Sequence, residues 1–251
     1  MATTKSKAKR KPSALVENIK TIVYAGLIAL VVRTFLFEPF NIPSGSMLPT
    51  LQIGDYLFVS KYSYGFSRYS FPFGWPPFSG RIFESMPHRG DVAVFKYPPD
   101  PSVDYIKRIV GLPGDTVQVR DGLLYINGKL CPREPEGDYV TDEDGIHMVQ
   151  RRYDETLPNG VQHDILKATD QGEMNNTPVF QVPPDRLFAM GDNRDNSADS
   201  RFMNGVGFVP MDNLVGRAEI IFFSIDSEYP WWEFWQWPFE VRWDRILMRV
   251  H

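Results

Sequence analysis

The sequence predicts a mostly β protein carried on one N-terminal membrane helix. Three observations lead there. A single apolar run, Thr21 to Phe37, spans 17 residues and is polar only at Thr21, Arg33 and Thr34. Beyond Glu38, short apolar segments alternate with turn signals rich in Pro, Gly, Asn and Asp, and no long amphipathic helix follows. The 251 residues are 43% hydrophobic and 23% charged, with a mean hydropathy of −0.29. That balance excludes both a chain mostly embedded in a bilayer and a disordered one. The length suits one sizeable domain, or a domain with a subdomain.

The first element is a basic tail. Residues 1–20 hold six basic side chains and one acidic one, a charge of +5, against −9 for the rest of a chain whose net charge is −4. The apolar run follows. As a helix at 1.5 Å per residue it spans roughly 25 Å, short of a hydrocarbon core of about 30 Å unless flanking residues extend it. A cleavable leader needs a small-x-small site after the run, and Arg33-Thr34-Phe35-Leu36-Phe37 is bulky. A buried core helix is the other competing reading. An uncleaved anchor fits best, with Arg33 positioned to snorkel at one end. The basic tail then lies in the cytoplasm and the rest of the chain across the membrane.

The strands come next. Asp91 to Tyr97 is a short apolar run closed by Pro98 and Pro99, and Asp104 to Val110 is another. Gly111-Leu-Pro-Gly114 sets Pro and Gly together as a type II turn requires. Asp121-Gly122 and Asn127-Gly128 bracket Leu123 to Ile126, which predicts a strand between two tight hairpins. Residues 132–178 are polar and weakly periodic and read as a solvated insertion. Strand character returns at Arg186 to Met190 and Glu219 to Ser224, and no internal repeat is visible.

Several chemistries are excluded. The single cysteine, Cys131, rules out an intrachain disulfide and a Cys-based zinc knuckle. His88, His147, His163 and His251 are scattered with no i, i+4 pair, so neither a metal site nor a cofactor is expected. Asp192 to Asp199 has the composition of a calcium loop, but Arg194 holds its third position and the sixth is not Gly. There is no GxSxG elbow and no Gly-rich phosphate loop. The negative net charge argues against a nucleic-acid partner.

Three segments remain. They are Pro43-Ser-Gly-Ser-Met-Leu-Pro-Thr-Leu51, Tyr105-Ile-Lys-Arg-Ile-Val-Gly-Leu-Pro-Gly-Asp115 and Gly191-Asp-Asn-Arg-Asp-Asn-Ser-Ala-Asp-Ser-Arg201. Singly, they read as an ordinary loop, a strand with a solvated lysine and a surface turn. Together and in this order they resemble the boxes of the bacterial type I signal peptidases, a family of membrane-anchored Ser-Lys endopeptidases, and Gly90 to Pro98 matches a fourth box. The resemblance covers roughly residues 20–115 and 185–225.

The resemblance implies an antiparallel catalytic β domain at 38–115 and 185–251, with a smaller β subdomain inserted at 116–184, behind a tail at 1–20 and an anchor at 21–37. The implied activity is removal of signal peptides from exported preproteins after small residues at −1 and −3, at the bacterial inner (cytoplasmic) membrane. By position, Ser46 is the nucleophile and Lys107 the general base. Ser197 hydrogen-bonds the lysine amine. The Ser44 hydroxyl and the Ser46 N–H form the oxyanion hole. Asp199 and Arg201 form a structural ion pair. Phe40, Ile42, Met47, Leu51 and Ile106 fall where the family lines its shallow apolar pockets. Preprotein signal peptides and membrane lipid are the implied partners. Some family members carry a second span and a disulfide; only one span is visible here, and Cys131, without a partner, is expected to be buried or dispensable.

The chemistry is consistent with these roles. A serine hydroxyl is a weak nucleophile that needs an adjacent base. A lysine near its ordinary pKa of about 10.4 is protonated at neutral pH, and acts as a base only if burial lowers that value. Strand alternation gives Lys107 the neighbours Tyr105 and Ile109, and gives Arg108 the neighbours Ile106 and Val110. Periodicity therefore leaves open which cation is buried. The resemblance selects Lys107, and arginine cannot be deprotonated in a protein.

Aromatics concentrate in Tyr62 to Phe83, nine in 22 residues, and in Tyr229 to Trp243, eight in 15. These stretches hold all six tryptophans. Trp and Tyr favour the headgroup region, so at least one stretch is expected to dip into the outer leaflet, a hydrophobic core being the alternative. Three rival readings stay in view: a self-cleaving Ser-Lys protein of the repressor type, a Ser-His-Asp hydrolase using His88, and an inactive membrane-tethered β scaffold.

Overall fold

The computed structural model describes residues 14–71, 74, 77–143, 146–226 and 240–251. Its first element, α1, runs Ala14–Phe35, so it starts before the apolar run and ends two residues short of it. Glu17, Asn18 and Lys20 are polar, but none of them breaks a helix. At the other end Pro39 disfavours helical backbone at Glu38, and strand β1 (Phe37–Asn41) has already begun. The 22 residues of α1 are about 33 Å long, enough to cross a hydrocarbon core that the shorter run did not reach. All of α1 but Thr34 is exposed, and it is long and apolar enough to span a membrane. A soluble core helix does not sit this way.

After β1 come β2 (Asp55–Ser60), β3 (Val92–Lys96) and β4 (Asp104–Gly111), then β5 (Thr116–Arg120), β6 (Leu123–Ile126) and β7 (Lys129–Leu130). The hairpin β8 (Arg133–Glu143) and β9 (Ile146–Thr156) leads to β10 (Gln162–Lys167) and β11 (Phe180–Gln181). The chain returns through β12 (Arg186–Met190), β13 (Val209–Pro210) and β14 (Leu214–Ser224). The main sheet has the order β1-β2-β14-β3-β4-β12-β13, with every neighbour antiparallel. Two smaller sheets, β10-β9-β8 and β11-β5-β6-β7, come from the inserted segment.

Three turns follow directly from their residues. Asp115 N donates to Leu112 O across 3.0 Å, and Gly114 has a φ of +87°, the type II geometry that Pro113-Gly114 predicts. Asp121-Gly122 and Asn127-Gly128 all have positive φ, the mirror-image turn that suits the twist of a hairpin.

Both faces of the main sheet are covered. One apolar cluster joins Phe40 of β1, Leu57 and Val59 of β2, Val215 and Ala218 of β14, Val94 of β3 and Ile106 of β4, with Met47 and Leu51 against them. The other face packs Ala93, Phe95, Ile109, Leu187 and Leu214. A third core, with Val117, Leu124, Ile126 and Cys131, closes against Val110, Phe188 and Met190 of the main sheet. Cys131 is buried there, and burial pushes its thiol up to about 12.

The expectation of a solvated insertion at 132–178 needs correction. These residues build a three-stranded sheet, and Ile165, Leu166, Gln150, Glu155, His163 and Lys167 are buried. Part of the polarity that hid the strands goes into ion pairs, Arg152 with Glu136 and Asp164, Glu155 with Arg194 and Lys167 with Asp195, while β8 stays largely exposed. Of the aromatic stretches, residues 229–239 lie outside the described residues. In the other, Phe66 and Phe71 meet the Phe35 ring of α1 edge-on at 5.6 and 5.9 Å, with Tyr62 and Phe83 exposed beside them.

Candidate active site

Ser46 sits in a single 3-10 turn, Gly45–Met47, just beyond β1. The turn is held from below because Met47 and Leu51 are fully buried. It is held from the side by the segment after β12. Asn193 N donates to Ser46 O and Asn193 Nδ2 to Gly45 O, both at 3.1 Å, while Thr50 Oγ1 donates to Asp192 across 2.6 Å. Arg245, near the end of the chain, donates to Thr50 O at 3.0 Å and to the buried carboxylate of Asp55.

Lys107 reaches this turn from β4. Its Nζ lies 2.7 Å from Ser46 Oγ and donates to Ile106 O at 2.9 Å. Ser44 Oγ is 3.5 Å from Ser46 Oγ. Lys107 is 4% exposed. Burial lowers its pKa to about 8, against the opposing pull of Asp199 and Asp192. Desolvation wins because, among the described residues, the amine's hydrogen-bond partners are a hydroxyl and a carbonyl and not a carboxylate. The Tyr105 ring lies 5.4 Å from Nζ and stacks on Tyr97.

Periodicity left the choice between Lys107 and Arg108 open, and the structure buries both. They occupy opposite faces of a strand whose faces are both covered. Arg108 is fully buried and receives what Lys107 lacks: two hydrogen bonds to the Asp192 carboxylate, at 2.8 and 2.7 Å, and others to Gly90 O and His251 O. One strand thus carries a paired cation beside an unpaired one.

Asp199 and Arg201 form the expected pair, at 2.9 and 2.8 Å, and Asp199 also accepts from Gly191 N. Ser197 differs from expectation. Its hydroxyl is buried and, among the described residues, has no hydrogen-bond partner, so it does not hold the Lys107 amine. It packs instead against Gly191. A Cβ there would lie 2.2 Å from Ser197 Oγ and 2.6 Å from Ser46 O, so the absence of a side chain lets this segment close on the serine turn.

The expected pocket residues divide. Ile42, Met47 and Leu51 are buried and form a floor, while Phe40 and Ile106 are half-buried at its edge. His88 stands apart: its ring is 83% exposed, 4.0 Å from Asp91, and among the described residues no hydrogen bond joins it to Ser46.

Residue patterns missed a second layer. Arg194 donates to Glu155 of β9 at 2.8 Å, Gln150 to Asn193 at 2.9 Å, and Lys167 of β10 to Asp195 at 2.9 Å. His163 lies within this cluster, and burial together with Arg108 and Arg194 holds its pKa well below 6.5, so it is neutral. The run Asp192-Asn193-Arg194-Asp195 was visible as a motif; the partners named above, 28 to 148 residues away, were not.

Residues 15–223 match the family described as "Signal peptidase, peptidase S26". A protein of Rickettsia typhi named Signal peptidase I is 45% identical over 225 residues, covering 86% of this chain and 83% of its own. Another so named, from Rickettsia canadensis, is 42% identical over 222 residues, covering 85% and 81%. A solved signal peptidase I from Enterococcus faecalis, 28% identical, covers 53% of this chain and 97% of its own with a TM-score of 0.31, too low to bear on the fold.

Proposed function

From membership of the signal peptidase family, peptidase S26, to which this chain belongs, we propose that Ser46 and Lys107 are the nucleophile and general base of its reaction. The protein is a serine peptidase that removes signal peptides and carries an N-terminal apolar helix. The observation that carries the dyad is the 2.7 Å contact between Ser46 Oγ and a Lys107 amine that is 4% exposed.

In this reading the neutral Lys107 amine takes the proton of Ser46 as Oγ attacks the carbonyl of the −1 residue. The Ser46 N–H and the Ser44 hydroxyl donate to the developing oxyanion, each contributing on the order of 3 kcal/mol. Lys107 then returns the proton to the leaving amine of the mature protein. The signal peptide remains as an ester on Ser46 until water, deprotonated by Lys107, releases it. Ser197 is a positioning residue whose spare hydroxyl gives the amine another partner once rotated toward it. Asp199 and Arg201 keep its segment in place.

The preference for small residues at −1 and −3 follows from a filled floor. Ile42, Met47 and Leu51 leave no depth, and Phe40 and Ile106 form the rim. The substrate lies extended along a sheet edge near Ser46. α1 anchors the enzyme in the bacterial cytoplasmic membrane with its basic tail inside and its catalytic domain outside. The aromatic segment at the end of α1 rests on the outer leaflet. The catalytic domain comprises 38–115 and 185–251, and 116–184 is its inserted subdomain.

Preprotein cleavage by Ser46→Ala and Lys107→Ala proteins tests the dyad. Both variants are expected to lose activity while keeping the wild-type fold; near wild-type cleavage by either one sinks the assignment.

A further inference from the structure

A cavity of about 590 Å³ opens where α1 meets the main sheet, and of its lining the chemistry above uses Phe40 at the pocket rim and nothing else. Its walls include Arg33 of α1, Glu38 and Phe40 of β1, Lys61, Lys96 of β3 and Asp104 of β4. Strand alternation identifies the face it belongs to. Lys96 and Asp104 are cross-strand partners, Val94 and Ile106 are the next pair on the same side, and Phe40 and Ile106 share one apolar cluster with Met47. The cavity is therefore the continuation toward α1 of the sheet face against which the Ser46 turn packs.

Two features point to a peptide as occupant. The first is unpaired strand edge. β1 ends the main sheet, and among the described residues Asp104 to Lys107 pair with β3 alone, because β12 meets β4 at Arg108, Ile109 and Gly111. Free backbone groups on such edges accept an added strand. The second is charge. Glu38 accepts hydrogen bonds from Arg33 and Lys61, each at 2.9 Å, and Asp104 pairs with Lys96 at 2.9 Å. Three cations face two carboxylates, which leaves an excess of one positive charge.

Building on the assignment of Ser46 and Lys107, we propose that this cavity is a subsite for the substrate residues four to six before the scissile bond, and that it disfavours lysine and arginine there. Asp104 is three residues from Lys107, about 10 Å along the strand. A substrate strand with its −1 residue level with Lys107 brings −4 level with Asp104, and −5 and −6 into the cavity. A chain leaving the bilayer beside α1 meets the cavity before it meets Ser46. The excess positive charge repels a further cation and favours glutamate over glutamine over lysine.

The test uses the full chain in phospholipid vesicles and one preprotein carrying Glu, Gln or Lys at −5. The expected kcat/KM order is Glu, Gln, Lys, spanning about fivefold, the scale of one partly exposed charge pair. Lys96→Gln compresses the series and Asp104→Asn widens it. A flat series, or one that both variants leave unchanged, overturns the subsite. In a Ser46→Ala protein, a photoreactive side chain at −5 is expected to label residues 33–40 or 96–104. Labelling confined to lipid, or to another face of the sheet, overturns it as well. Failure of the dyad assignment appears separately, as cleavage persisting in Ser46→Ala, and leaves the labelling map readable.

Discussion

Lys107 and Arg108 are adjacent and both buried, yet among the described residues only Arg108 hydrogen-bonds a carboxylate. That difference sets the pH dependence. With a pKa lowered to about 8, Lys107 is protonated below that value and neutral above it. In the proposed reaction only the neutral amine accepts the serine proton, so activity is expected to rise with pH. The reactive fraction is about one-tenth at pH 7 and about nine-tenths at pH 9, and a steady-state profile is expected to rise roughly tenfold between them. Lys107→Arg is expected to be inactive at every pH, because the guanidinium stays charged. Gly191→Ala tests the close approach of the two catalytic segments. Its Cβ would press on the Ser46 carbonyl, and a loss of at least about tenfold in kcat is expected, since small misplacements at a reacting centre are costly. The sequence named Ser46 and Lys107 through their boxes. It could not show that the Ser197 hydroxyl has no hydrogen-bond partner among the described residues, because its side chain packs against Gly191, a contact that no neighbour in the chain marks.

Among the elements, the segment from Ser46 to Asp55 is constrained from outside on two sides. Asn193 and Asp192 hold it on one side and Arg245 on the other. Arg245→Ala removes a hydrogen bond from Thr50 O and strips a partner from the buried Asp55 carboxylate, which is expected to cost about 3 kcal/mol in denaturant unfolding. Because the lost contact bears on the serine turn, kcat is expected to fall more than KM rises; the conservative Arg245→Lys, which keeps the charge, is expected to recover part of both. The turns were legible in the sequence because each is set by two adjacent residues, as at Asn127-Gly128. The Arg245 contact was not, because its partners are 190 and 195 residues away and no local pattern marks them. The start of α1 was hidden for a related reason: Glu17 and Lys20 interrupt the apolar run without interrupting the helix.

Taken whole, the two smaller sheets are tied to the main sheet and to the segment after β12 by an apolar core and by a polar seam. Val117, Leu124 and Ile126 pack with Phe188 and Met190, while Arg194 pairs with Glu155 and Lys167 with Asp195. Thermal unfolding of the extramembrane part is accordingly expected to be one cooperative transition. Glu155→Gln, which leaves the buried Arg194 without its counter-charge, is expected to lower the midpoint of that transition and activity together; two resolved transitions would show the subdomain to be independent. The chain-wide charge split, +5 in the first 20 residues against −9 beyond, was readable from composition and fits the anchored arrangement. The central claim is that one buried, neutral lysine activates Ser46. The most direct measurement is the rate at which a serine-directed acylating probe modifies the full-length protein as a function of pH, with the adduct located by mass spectrometry. A single adduct on Ser46 is expected, forming at a rate that climbs through about pH 8 and absent in Lys107→Ala; an adduct on another residue, or a rate on Ser46 that does not change with pH or with Lys107, would rule out activation of Ser46 by a neutral lysine.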